Sequence, residues 1–185
     1  MYRLNTELSI EAEKHFGDNL QPKGCYENVY KQISSPFFNG TCEVLFCYLS
    51  TQNSTPVVVR HAFLLVDGDI VEPLEHLREG LIVESIIQIA KLSHDEYLDH
   101  LLKGKRYDCW PILLAEEIEA LAESHAIINP FEASDFVSLF AKDATTGLML
   151  LQAAQQGDYE PFKVLIPEIV GKKKTSCTFS ARRLK

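Results

Sequence analysis

The dipeptide Asp67-Gly68 constrains this chain more than any other feature. It separates two apolar runs, VVVRHAFLLV over residues 57–66 and DIVE over 69–72. Asp-Gly accommodates the two positive φ angles of a tight hairpin turn, whose twist matches that of the flanking strands. The pattern predicts an antiparallel hairpin with Val66 opposite Asp69, Leu65 opposite Ile70, Leu64 opposite Val71 and Phe63 opposite Glu72. Successive side chains of a strand alternate between faces, so His61, Phe63 and Glu72 share one. Glu72 then lies diagonal to His61, with side-chain origins about 5–8 Å apart.

Around this hairpin the chain divides into a mixed first part and a helical second part. Residues 9–16 read as a short helix and 17–24 as a linker. The run CYENVYKQIS from Cys25 carries Val29 and Ile33, and Tyr26 and Tyr30, at i, i+4, which predicts a helix stopped by Ser34-Ser35-Pro36. Cys25 therefore stands at or just before a helix N-terminus. CEVLFCYLS over 42–50 is rich in β-branched and aromatic residues and reads as a strand, followed by the polar loop TQNST. Residues 75–92 read mainly as helix, with a strand near 81–87 as the alternative. Ser93-His94-Asp95-Glu96 is a capping box opening a helix through about Leu102. Another helix follows Cys109-Trp110-Pro111, and Asn129-Pro130-Phe131-Glu132 opens one through Ala141. Residues 143–170 read as two short helices joined by Gly157-Asp158, in a pattern similar to a single ankyrin repeat. A single repeat lacks the stacked neighbours that bury its faces, so a terminal helical hairpin is the plainer description.

The 185 residues, 46% hydrophobic and 24% charged, suit one compact domain, or one domain with a small appendage, and exclude wholesale disorder. Acidic side chains number 26 against 18 basic ones, a net charge of −8. Six of the basic residues lie in the tail KKKTSCTFSARRLK at 172–185, so the body is more acidic still. An acidic body repels phosphate backbones and anionic membranes, so no nucleic-acid partner is expected. No apolar run reaches membrane-spanning length, and the start MYRLNTELSIEAEKHFG lacks a signal-peptide core. A soluble protein of a reducing compartment is the expectation.

The five cysteines, Cys25, Cys42, Cys47, Cys109 and Cys177, show no disulfide framework. Cys42 and Cys47 are five apart on a strand and face opposite sides. No metal-ligand spacing occurs, His76, His94 and His100 do not converge on one, and neither metal nor cofactor is expected. Cys109-Trp110-Pro111 reads as packing.

One cysteine has the surroundings of a nucleophile. Thiol chemistry needs a sulfur, an imidazole that takes its proton and a group that orients the imidazole. Cys25 has the helix N-terminus that favours thiolate. His61 sits on the best-defined strand, and Glu72 reaches it from the paired strand. Asp67 and Asp69 sit too close to the hairpin tip. Asn28, near one helical turn beyond Cys25, either organises the preceding loop or faces water.

The segments GCYENVYK and RHAFLLVDGDIVEP together resemble the C-x-x-N, H-A-[FW]-x-x-x-[DN]-G and [DE]-P pattern of small bacterial and phage papain-like thiol hydrolases. The resemblance covers roughly residues 20–75. It implies an α+β fold with a papain-like core, a short antiparallel sheet and additional C-terminal helices. It makes Cys25 the nucleophile, His61 the base and Glu72 the orienting acid, and by analogy with papain-like enzymes Gln21 a candidate oxyanion donor. The C-G-S-C-W stretch of papain itself is absent, and the orienting residue is an acid rather than asparagine. The expected organisation is a core over 1–110, a helical annex over 111–171 with the ankyrin-like hairpin at 143–170, and a basic tail at 172–185. The expected activity is hydrolysis of an amide or peptide bond in a protein or peptide substrate, as a peptidase, deamidase or amidase. The location implied is the cytoplasm or, for an effector, a host cell reached without a classical signal peptide. An acyl or amine transferase using the same triad and a non-enzymatic protein-interaction module, such as a bacterial effector, are the alternatives; the oligomeric state is not encoded.

Overall fold

The computed structural model describes residues 2–22, 24–50, 57–81, 86–104 and 114–166. The chain forms two compact units, Met1–Leu113 and Leu114–Lys185. Helices and an antiparallel sheet make it an α+β protein.

In the first unit, helices α1 (Thr6–Phe16) and α2 (Cys25–Ile33) precede strand β1 (Cys42–Ser50). Strands β2 (Val57–Val66) and β3 (Asp69–Val71), the short helix α3 (Glu75–Arg78), strand β4 (Ile86–Ser93) and helix α4 (His94–Gly104) follow. Their sheet runs β3-β2-β1-β4. Three of the four predicted hairpin pairs form, with Leu64 facing Val71, Leu65 facing Ile70 and Val66 facing Asp69; β3 ends at Val71, so Glu72 is not paired with Phe63. Asp67 and Gly68 have φ of 51° and 86°, the pair of positive angles that the turn demands.

The stretch 75–92 is not the helix that its spacing predicts. Among its described residues only Glu75–Arg78 is helical, and Ile86–Ser93 is a strand paired with β1. The cause is tertiary. The middle of β1 is buried throughout, from Val44 to Tyr48, and a strand covered on both faces takes a neighbour on each side. Ile86, Ile87 and Ile89 are β-branched and suit that position. A register shift opposite Phe46 and Cys47 inserts an extra residue in β4.

Both sheet faces carry apolar side chains. Val44, Phe46, Ala62, Leu64, Val66 and Val71 pack in a cluster with Ala12 and Phe16 of α1, Val29 and Ile33 of α2, and Tyr97 and Leu101 of α4. Leu45, Cys47, Phe63, Leu65 and Ile70 form a smaller cluster on the opposite face, with Tyr2 and Leu4 against it. The N-terminal segment reaches that second face by bridging Leu4 to Ile70, with the Ile70 amide donating to the Arg3 carbonyl at 2.7 Å. Cys42 and Cys47 belong to opposite faces, as their spacing predicts.

Several helix starts follow their sequence signals. The Ser93 amide donates to Glu96 Oε2 at 2.9 Å, and the Glu96 amide donates to Ser93 Oγ at 3.4 Å, closing the capping box of α4. Helix α1 begins earlier than its periodicity indicates, at Thr6, because Asn5 Oδ1 accepts from the Leu8 amide at 3.0 Å.

The second unit contains α5 (Leu114–Glu123), α6 (Pro130–Ser138), α7 (Ala144–Gln155) and a final helical stretch over 160–166. Asn129 caps α6 by accepting from the Phe131 amide at 2.9 Å. That helix stops at Ser138, short of Ala141. Gly157, at φ 71°, makes the turn between the last two helices. Phe136, Phe140, Tyr159 and Phe162 cluster in the unit's buried interior in tilted and edge-to-face contacts, with neighbouring ring centroids 5.0 to 5.8 Å apart. The Cys109-Trp110-Pro111 segment, Cys177 and the basic tail lie outside the described residues. Among those described, no helix is long and apolar enough to cross a membrane.

Candidate active site

The start of α2 is built by the residues before it. Gly24 is the N-cap, no side chain caps the helix there, and the Asn28 amide donates to the Gly24 carbonyl at 2.7 Å. Cys25 occupies the first helical position, so its own amide has no carbonyl inside the helix to donate to. Its thiol is half-buried. The helix dipole places partial positive charge at this end.

His61 lies midway along β2 on the same face as Phe63, whose ring centroid is 4.3 Å from its own. Strand β3 pairs only with Leu64–Val66 and ends short of His61. The imidazole is instead met by the start of α2 and by the residue that follows β3. The Cys25 thiol lies close enough to the ring to favour its protonated form. Glu72 Oε2 lies 3.8 Å from His61 Nε2, an ion-pair contact longer than an ordinary hydrogen bond. Nε2 is the ring nitrogen that faces the carboxylate. His61 and Glu72 are both buried, at 8% and 6% exposure.

Burial works against a charged imidazole and is the largest single influence on His61. The Cys25 and Glu72 groups together outweigh it and raise the ring from 6.5 to about 9. A histidine inside a protein normally loses its charge; this one is held ready to carry a proton.

Glu72 is itself fixed from three directions. Its Oε1 accepts from the Leu74 amide at 2.9 Å, which leaves Oε2 for the histidine. Its own amide donates to Ser9 Oγ at 3.0 Å, and Ser9 Oγ in turn donates to the Asn5 carbonyl at 2.6 Å. Arg78 Nη1 donates to the carbonyls of Glu72 and Pro73 at 3.2 and 3.3 Å, while its Nη2 pairs with Glu13 Oε2 at 2.8 Å. Helices α1 and α3 thereby hold the segment after β3 in place.

Cys25, His61 and Glu72, far apart in sequence, are thus brought together. Gln21 is exposed, in the loop before Cys25, and no polar contact ties its side chain to the thiol. Asp67 and Asp69 are engaged elsewhere: Asp67 Oδ1 accepts from the Thr41 amide at 2.8 Å, and Asp69 pairs with Arg3 at 3.1 Å. Cys47 is fully buried beside His61, and burial pushes its thiol well above the usual range. Among the described residues no cluster of three His, Cys, Asp or Glu side chains has metal-holding geometry.

Sequence reasoning missed Ser9 and Arg78. Asn5, Ser9, Ala12 and Phe16 follow helical spacing, and Ser9 is a fully buried polar residue in a stripe with apolar Ala12 and Phe16. That signal was legible only with the helix extended back to Thr6. Compared with known proteins, the chain matches no family model, no curated protein and no solved structure.

Proposed function

We propose that this chain is a thiol-dependent hydrolase of amide or peptide bonds, using Cys25, His61 and Glu72 in the papain-like manner. The observation that carries the reading is the juxtaposition itself: a thiol at a helix start beside a buried imidazole, whose Nε2 faces a buried carboxylate at 3.8 Å. The motif resemblance over residues 20–75 assigns the same three residues the same roles.

In the proposed reaction His61 takes the thiol proton of Cys25, and the sulfur bonds to the substrate carbonyl carbon. The carbonyl π pair moves to oxygen, giving an oxyanion beside the Cys25 amide. The C=O bond then re-forms, the C–N bond breaks, and the His61 proton goes to the leaving amine. Water gives a proton to His61 and attacks the thioester carbonyl. The C–S bond breaks, the acid is released, and the sulfur recovers the proton. Glu72 stabilises the imidazolium in both halves. An amine in place of water makes the same first half-reaction a transfer. The acidic body favours a protein or peptide substrate over nucleic acid.

The test is peptide-mapped acylation by 4-nitrophenyl acetate. The reading expects acetyl transfer to Cys25 that disappears in His61→Ala. Equal labelling of Cys25 and Cys42, or labelling that survives His61→Ala, overturns it and favours a non-enzymatic interaction module.

A further inference from the structure

Glu72 follows the last residue of β3, so the strand ladder does not hold the carboxylate that meets His61 at 3.8 Å. A closed ring of hydrogen bonds holds its backbone, and the ring passes through Asn5. The Asn5 amide donates to the Ile70 carbonyl at 2.9 Å. From Ile70 the chain runs through Val71 to Glu72, whose amide donates to Ser9 Oγ at 3.0 Å. Ser9 Oγ closes the ring by donating to the Asn5 carbonyl at 2.6 Å. Ser9 is fully buried, so its hydroxyl has no water to exchange these partners for.

Asn5 thus touches both the strand that delivers Glu72 and the hydroxyl that receives its amide. Its own place is set by its side chain. As the N-cap of α1, Asn5 Oδ1 accepts from the Leu8 amide at 3.0 Å, while its carbonyl accepts from the Ser9 amide at 3.0 Å. The cap and the main-chain bond together hold the first turn of α1, and Ser9 with it, against the end of β3. Residues 3–5 are tied to β3 a second time: Arg3 Nε and Nη2 donate to the two carboxylate oxygens of Asp69 at 3.1 Å each. Titratable groups beside the imidazole include Cys25 on α2, Cys47 on β1 and Glu72 after β3; of these, the ring holds Glu72.

Resting on the thiol-hydrolase reading, we propose that Asn5 is a positioning residue, which acts through Ser9 and residues 70–72 to keep the Glu72 carboxylate in contact with His61. The segment 3–5 thereby belongs to the machinery of the site, although it reaches the imidazole only at second hand. A capping oxygen at position 5 is what the role requires; the remainder of the ring is main chain and the Ser9 hydroxyl.

The experiment reads the imidazole directly. The midpoint of the His61 Cε1–H resonance is measured by NMR titration in full-length wild type, Asn5→Ala, Asn5→Ser, Glu72→Gln and the double variant Asn5→Ala/Glu72→Gln. Asn5→Ala removes the capping oxygen and is expected to lower the midpoint by about half a pH unit or more, because a displaced anion supports the imidazolium less. Asn5→Ser keeps an acceptor for the Leu8 amide without adding charge and is expected to stay within about 0.2 units of wild type. In the Glu72→Gln background Asn5→Ala is expected to add no further fall, since the anion it positions is gone. Three results overturn the proposal: an unchanged midpoint in Asn5→Ala, an equal fall in Asn5→Ser, or a fall that persists undiminished in the double variant. Should Asn5→Ala fail to fold, Asn5→Gly decides, because glycine removes the same oxygen at a smaller cost to the helix; an unchanged midpoint there is fatal. Failure of the underlying reading looks different: wild-type Cys25 is then not acylated by 4-nitrophenyl acetate, while the titrations separately decide the positioning.

Discussion

Replacing Glu72 by glutamine removes one negative charge and little else. Glutamine retains an oxygen to accept from the Leu74 amide, the contact made at 2.9 Å by Oε1. The charge removed lies 3.8 Å from His61 Nε2. A unit pair at that separation is worth about 4 kcal/mol at an effective dielectric of 20, and about 1 kcal/mol at that of water. The rise of His61 from 6.5 to about 9 corresponds to about 3 kcal/mol, net of burial and shared between Cys25 and Glu72. Removing an anion disfavours the charged ring, so the His61 midpoint moves down, by at least about one pH unit. The assay is the NMR titration of the His61 Cε1–H resonance in wild type and Glu72→Gln. A variant midpoint within about 0.3 units of wild type, with the fold intact, refutes the claim that Glu72 holds the imidazolium.

The same residue links stability to pH. His61 binds its proton more tightly folded than unfolded, so its contribution is fully present below 6.5 and is lost as pH rises through about 9. Urea-unfolding midpoints are expected to fall between these values, and less so in Glu72→Gln. Ser9→Ala strips the Glu72 amide of the acceptor it reaches at 3.0 Å inside the protein, at a cost of about 1–3 kcal/mol; unfolding measurements check the stability, and the His61 titration shows whether Glu72 has moved. Phe46, buried between Tyr26 and Tyr97 with centroids 6.3 and 6.2 Å away, ties two helices to the sheet, so Phe46→Ala is expected to destabilise by about 3–5 kcal/mol.

What the sequence disclosed follows from how local each signal is. The hairpin was legible because Asp67-Gly68 fixes both turn and register, and that register places Glu72, just past the last paired residue Val71, on the His61 side of the strand. Helix α2 was legible from its i, i+4 repeat, and its stop from Ser34-Ser35-Pro36. Strand β4 was not, because Ile86, Ile87 and Ile89 satisfy helix and strand spacing alike; the decision is made by pairing with β1, some forty residues away in the chain. The clasp on Glu72 was hidden for the same reason. Arg78 and Ser9 converge on it only once β3 has delivered the segment between α1 and α3. Asn28 stood out by its place in the motif, but which of its two roles applies is settled by two hydrogen bonds to Gln21.

The central claim is that His61 activates Cys25. Iodoacetamide alkylation at pH 7, resolved by peptide mapping, tests it within a single molecule, because Cys42 is similarly half-buried and, among the described residues, hydrogen-bonds only the Gly40 carbonyl at 3.7 Å. The account predicts that Cys25 reacts at least about tenfold faster than Cys42, and that His61→Ala abolishes the difference. Equal rates in the wild type, or a fast Cys25 indifferent to His61, would contradict it.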